Sequence, residues 1–133
     1  MNLQLLTRDV TLLARQAGAY LRQERDSIRE EEIGVKGQGD LVSRVDRTSE
    51  RMLREGLLSL LPDSVVMAEE ESPDAGGGDW RWIVDPLDGT LNYLQGLPVY
   101  AVSIALEDRR SHPEGWGELV LGVIHLPSLD LMY

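Results

Sequence analysis

An apolar run that ends in two aspartates, a proline and a glycine constrains this chain more than any other stretch. Within Trp82-Ile83-Val84-Asp85-Pro86-Leu87-Asp88-Gly89-Thr90-Leu91-Asn92-Tyr93, Trp82 to Val84 reads as a buried strand. Pro86 stops it, because proline donates no ladder hydrogen bond. Asp85 and Asp88 then fall on a turn, where Gly89 supplies backbone angles that residues with a Cβ avoid. The chain continues from Thr90 through Asn92 as a turn or short helix. Hard oxygen donors on such a turn suit Mg²⁺, which takes a few carboxylates and leaves its other positions to water or a phosphate.

Other readings of the segment exist. Asp-Pro and Asp-Gly are common turn formers, so Asp85 to Thr90 could simply end a strand. Phosphatases of the haloacid-dehalogenase type also end a strand with an aspartate, but their second aspartate follows two residues later. Here the step from Asp85 to Asp88 is three, which leaves the Leu87 carbonyl able to face the same cation as the two side chains. Upstream, Ser64 to Ala68 is a short apolar run, read as a strand, that ends in Glu69-Glu70-Glu71-Ser72. Adjacent carboxylates resist joint ionisation unless a cation or solvent compensates, and strand alternation lets only one or two of them share a site. Alone, the triplet would be a solvated patch. With the aspartate turn in a neighbouring strand, metal ligation is the better reading.

These residues resemble the inositol monophosphatase family of Mg²⁺-dependent, lithium-sensitive phosphatases. The resemblance rests on Asp40-Leu41-Val42 through Asp46, on Glu70-Glu71-Ser72, on Asp85 to Tyr93, on Leu97 to Leu106 and on Gly122-Val123-Ile124-His125. Leu91 and His125-Leu126-Pro127 depart from common family residues. The family's later motif, Trp-Asp-x-Ala-Ala-Gly, does not occur. Residues 1–133 are therefore expected to be the N-terminal α+β portion of a phosphatase whose C-terminal α/β portion lies outside this chain.

The resemblance implies hydrolysis of a phosphate monoester, with inositol 1-phosphate as the leading substrate. The alternatives are 3′-phosphoadenosine 5′-phosphate and fructose 1,6-bisphosphate. Asn92-Tyr93 and Ala101-Val102-Ser103-Ile104 look closer to inositol monophosphatases than to the 3′-phosphoadenosine 5′-phosphate enzymes. In the site that the resemblance implies, Glu70 and Asp85, with the Leu87 carbonyl, hold one Mg²⁺, and Asp88 helps hold a second. The N–H groups of Gly89 and Thr90 grip the phosphate, while Asp46 orients the Thr90 hydroxyl toward the attacking water. A different class of function is a truncated, non-catalytic association module. A half-domain with an exposed apolar patch would pair with a second copy, so a homodimer is expected.

A net charge of −10 disfavours non-specific nucleic-acid binding, and it repels phosphorylated small molecules unless cations intervene. With no cysteine there is no disulfide framework. No apolar run approaches the length of a membrane span, so no membrane partner is expected and the cytoplasm is the expected compartment.

Leu6, Val10, Leu13, Ala17, Tyr20 and Leu21 recur at helical steps, which predicts an amphipathic helix to about Arg29 with a solvated arginine face. Glu30 to Gly39 reads as a glycine-punctuated loop, and the resemblance would bring Lys36 toward the site. A second helix is expected from Ser43 or Val45 to Leu61, with Asp46 in its first turn, where the helix dipole favours an acid. Ser72 to Asp79 reads as a surface loop. Val99 to Leu106 and Glu118 to Leu126 read as strands, joined by a polar connection. His112 and His125 are read as solvated or structural. The fold class is α+β, with two N-terminal helices packed on one face of a mostly antiparallel sheet.

Overall fold

The computed structural model describes residues 1–27, 35–68 and 78–133, and the side chains of all of these except 35–40. The first helix, α1, spans Leu3–Asp26. Asn2 caps it by accepting the Leu5 N–H at 3.1 Å, which satisfies one of the donors a helix start leaves open. Its inner face buries Val10, Ala14, Ala17 and Leu21. The second helix, α2, spans Val35–Leu60 and buries Val45, Leu53 and Leu57. It starts eight residues before Ser43, so Gly37 and Gly39 lie in the helix and not in the expected loop. The low helix propensity of glycine makes that start hard to read locally.

Five strands follow: β1 (Ser64–Ala68), β2 (Trp80–Asp88), β3 (Ala101–Asp108), β4 (Glu118–Leu126) and β5 (Leu131–Met132), with a short helix α3 (Thr90–Gln95) after β2. They form one sheet in the order β1-β2-β3-β4-β5. Only the β1–β2 pair is parallel among these strands; the other three pairs are antiparallel. The fold is α+β, as expected. A 3₁₀ turn over Pro127–Leu129 and the short β5 carried no sequence signal that was read.

Pro86 does not end β2. The strand runs on to Asp88 because the register shifts between Asp85, opposite Ser103, and Asp88, opposite Ala101. Proline is tolerated at such a bulge, where no ladder hydrogen bond is required of it.

Alternation along the strands sorts the two sheet faces. Trp82, Val84, Val102, Ile104, Leu106, Leu121 and Val123 are buried on the face that α1 and α2 cover, with α2 over β1 and β2 and α1 over β3 and β4. Trp82 satisfies its indole N–H by donating to Ser64 Oγ at 2.9 Å. His125 belongs to this packing. It is buried, its Nδ1 lies 3.0 Å from the Leu131 carbonyl, and its ring sits against α1 at Gly18. On the opposite face, Ile124, Leu119 and Tyr133 are exposed. Trp116 stacks over the Arg81 guanidinium, 5.0 Å from its ring centroid.

Candidate active site

The segment expected as an aspartate turn is the bulged end of β2: Asp85 and Asp88 both lie within the strand, and the chain leaves the sheet at Gly89. Asp85 is half-buried on the face away from the helices, Pro86 and Leu87 are buried, and Asp88 is exposed. One Asp85 oxygen, Oδ1, accepts the Leu87 N–H at 3.3 Å, the local side-chain-to-backbone bond that aspartate favours in turns. Gly89 then takes a left-handed conformation, φ 81° and ψ 44°, as the residue that opens α3. A Cβ there would lie 2.9 Å from the Val99 carbonyl oxygen, so both backbone angle and space require glycine. Thr90 is the first residue of α3.

The parallel pairing determines what stands beside this turn. Ala68, the last residue of β1, is in register with Val84, so β1 ends one residue short of the level of Asp85 while β2 runs on to Asp88. Glu70, expected to join Asp85 as a ligand, lies outside the described residues, as do Glu69, Glu71, residues 30–34 of the expected loop Glu30 to Gly39 and residues 72–77 of the expected loop Ser72 to Asp79. Lys36 lies in α2, and its side chain is not described.

Asp46 is buried, about three turns inside α2 and not in its first turn. The dipole explanation for an acid at that position therefore does not apply. Helix α2 packs against both β2 and α3, the elements that carry Asp85, Asp88 and Thr90. One turn beyond Asp46, on the same side of the helix, the fully buried Ser49 donates its hydroxyl to the Pro86 carbonyl at 2.9 Å.

Helix α3 is anchored from behind. Tyr93 is fully buried, meets Tyr100 edge to face at 5.0 Å, and donates its hydroxyl to the Leu21 carbonyl at 2.8 Å. Burial, with Tyr100 beside it, raises the Tyr93 phenol above its ordinary range, which keeps it a neutral donor. Arg25, expected on a solvated face, instead donates to the carbonyls of Tyr93 and Leu94. Asn92 closes the following loop by donating to the Val99 carbonyl at 2.9 Å.

The donor set on the turn fits Mg²⁺: two carboxylates and a main-chain carbonyl are hard oxygens carried on one bulge. Among the described residues, no three His, Cys, Asp or Glu side chains gather closely enough to hold a metal. A cavity of about 480 Å³ between α1 and β4, lined by Arg15, Arg22, Asp26, His125 and Asp130 among others, includes no residue of the aspartate turn. No helix among the described residues is long and apolar enough to cross a membrane.

Sequence logic missed Ser49 and Arg25. Each acts on a carbonyl far along the chain, and no local pattern marks such a bond.

Comparison with known proteins agrees with this arrangement. The sequence model of the inositol monophosphatase family matches residues 2–133. The chain is 36% identical over 132 residues to the fructose-1,6-bisphosphatase/inositol-1-monophosphatase of Aquifex aeolicus, covering 99% of this chain and 47% of that protein. It is 39% identical over 118 residues to the inositol-1-monophosphatase of Rhizobium meliloti, covering 88% of this chain and 42% of that one. Its fold is similar to the solved structure of inositol monophosphatase from Anabaena, with a TM-score of 0.74 and 31% identity over 99% of this chain and 44% of that structure. The chain thus spans less than half the length of these relatives.

Proposed function

Because this chain belongs to the inositol monophosphatase family, we propose that it supplies the N-terminal half of a Mg²⁺-dependent phosphate monoesterase acting on inositol 1-phosphate. The observation that carries the proposal is the aspartate turn, with Asp85, Leu87 and Asp88 on a bulge beside the end of a parallel neighbour strand. In this reading Asp85, the Leu87 carbonyl and Glu70 hold one Mg²⁺, and Asp88 helps hold another. Bound Mg²⁺ supplies the Lewis acidity that makes a water nucleophilic near neutral pH and offsets phosphate charge.

The remaining roles belong to the chain itself. The Gly89 and Thr90 N–H groups orient phosphate oxygens. Asp46 accepts from the Thr90 hydroxyl, which is thereby held to receive a proton from the attacking water. Substrate contacts beyond the phosphate are assigned to sequence outside this chain. A cytoplasmic site of action accords with a small phosphorylated substrate, and the proposed assembly is a homodimer.

Fructose 1,6-bisphosphate is a second substrate to weigh, since the Aquifex relative carries both names. 3′-Phosphoadenosine 5′-phosphate is the third. Rates of phosphate release from the three compounds, measured as kcat/KM with the full product of the gene, test the assignment. A preference for inositol 1-phosphate supports it, and a preference for either other substrate replaces it.

One observation favours an association module as the competing reading: the sheet face opposite the helices leaves Leu119, Ile124 and Tyr133 exposed. A concentration-dependent oligomer with no turnover of any of the three substrates would favour that reading over the enzyme.

A further inference from the structure

We infer that Ser49 is a positioning residue for the cation-binding turn, fixing the Pro86–Leu87 peptide plane to which the Asp85 carboxylate is hydrogen-bonded and from which the chain continues to the Leu87 carbonyl. The inference rests on the proposed reading of Asp85, Leu87 and Asp88 as cation ligands.

The bulge takes Pro86 and Leu87 out of register with β3. A buried carbonyl at Pro86 therefore needs a partner from elsewhere. Ser49 provides it, donating its hydroxyl at 2.9 Å from a fully buried position on α2. On the other end of the same peptide group, the Leu87 N–H is held by Asp85 Oδ1 at 3.3 Å.

A trans peptide is planar, and its C=O and N–H point in opposite directions. The Pro86–Leu87 plane is thus gripped at both ends, by the helix on one side and by the carboxylate on the other. It cannot turn without breaking both bonds. Two consequences follow for a cation. The rotation of Asp85 is coupled to this plane through Oδ1, and the Leu87 carbonyl is the next group along the chain from it. Proline at 86 strengthens the arrangement, because its ring fixes φ and leaves the plane less freedom upstream. Ser49 also shares a side of α2 with the buried Asp46.

A merely structural Ser49 would contribute stability and leave cation affinity alone. The test uses Mn²⁺ as the probe, its binding to the 133-residue chain followed by electron paramagnetic resonance of the free ion. Thermal unfolding and amide exchange at Leu87 are measured on the same samples. Ser49→Ala is compared with Ser64→Ala, which removes a hydroxyl bonded to the Trp82 indole at the other end of β1, and with Asp88→Asn.

The expected result is that Ser49→Ala weakens Mn²⁺ binding about tenfold, the usual scale for a group that orients a ligand, and speeds exchange at Leu87. Ser64→Ala should keep the parent affinity whatever its stability. Parent-like Mn²⁺ affinity in folded Ser49→Ala, with Asp88→Asn impaired, overturns the role of Ser49 and leaves the ligand reading standing. A parent chain that binds no better than Asp88→Asn overturns the ligand reading, and the role of Ser49 with it.

Discussion

Arg25, near the end of α1, donates its Nε to the Tyr93 carbonyl at 2.7 Å and its Nη2 to the Leu94 carbonyl at 3.4 Å. The short helix that follows the aspartate turn is therefore held at its C-terminal end by a residue 68 positions upstream. A helix of six residues is too short to be stable alone. A guanidinium at its last carbonyls both satisfies them and complements the helix dipole.

Replacing Arg25 with Ala should cost about 1.5 kcal/mol, the lower end for a hydrogen bond to a charged group, since the side chain is half-buried. Arg25→Lys should recover only part, because an ammonium cannot reproduce the guanidinium fork. Thermal unfolding of the two variants checks this. An unchanged midpoint in Arg25→Ala would remove Arg25 from the account.

At Gly89 the left-handed backbone, φ 81°, and the nearby Val99 carbonyl act together. Gly89→Ala should lose about 1–2 kcal/mol from backbone strain alone. It should also displace the start of α3, lowering turnover more than the stability loss explains. Steady-state kinetics on the folded fraction would separate the two effects.

Gly18 is where α1 meets the β4 edge. A Cβ there would come within 2.5 Å of the His125 ring and 2.8 Å of the Pro127 ring. Gly18→Ala should therefore destabilise by about 1–3 kcal/mol, the range for an overfilled core, although alanine is the better helix former. Urea unfolding gives the sign directly. A stabilised variant would mean that the helix and the β4 edge are not so closely packed.

How much of this was legible in the sequence depended on the range of the interactions. The period of Val10, Ala17 and Leu21 revealed the inner face of α1, and the limits of β1 and β4 were read as they stand, because apolar pattern and turn residues are local signals. Asp85-Pro86-Leu87-Asp88-Gly89 was legible as an interruption of the strand, but it reads as a turn where the structure has a bulge within β2 and leaves the strand only at Gly89. That β2 passes through Pro86 was not legible, since a bulge depends on the partner strand. Gly37 and Gly39 pointed to a loop where α2 already runs, and that moved Asp46 from a first turn to mid-helix. Ser49 and Arg25 act across 37 and 68 residues, and no window along the chain reveals such partners.

Glu107 gives the fold a defined acid response. It is almost fully buried and bonds to Arg81 Nε at 2.7 Å and to the Gly117 N–H. Burial alone would raise its pKa, but Arg81 and the Gly117 N–H outweigh burial and hold it below the ordinary 4.5. With the folded value depressed, its stabilisation is complete above about pH 4.5 and is lost as pH falls through the folded value. Glu107→Gln should flatten that part of the stability curve and cost about 3 kcal/mol near neutrality by leaving Arg81 without its counter-charge. Denaturation midpoints between pH 3 and pH 7 test this, and a parent curve flat across that range would contradict it.

The central claim, that the aspartate turn is half of a metal-dependent phosphatase site, is tested most directly by phosphate release from inositol 1-phosphate with and without Mg²⁺. The assay compares the full product of the gene, its Asp88→Asn variant and the 133-residue chain. The account predicts release by the full product that requires Mg²⁺ and falls by two orders of magnitude or more, on the scale of lost electrostatic stabilisation, in Asp88→Asn. Release that survives removal of Mg²⁺, or that is untouched by Asp88→Asn, or no release in any form, would contradict it.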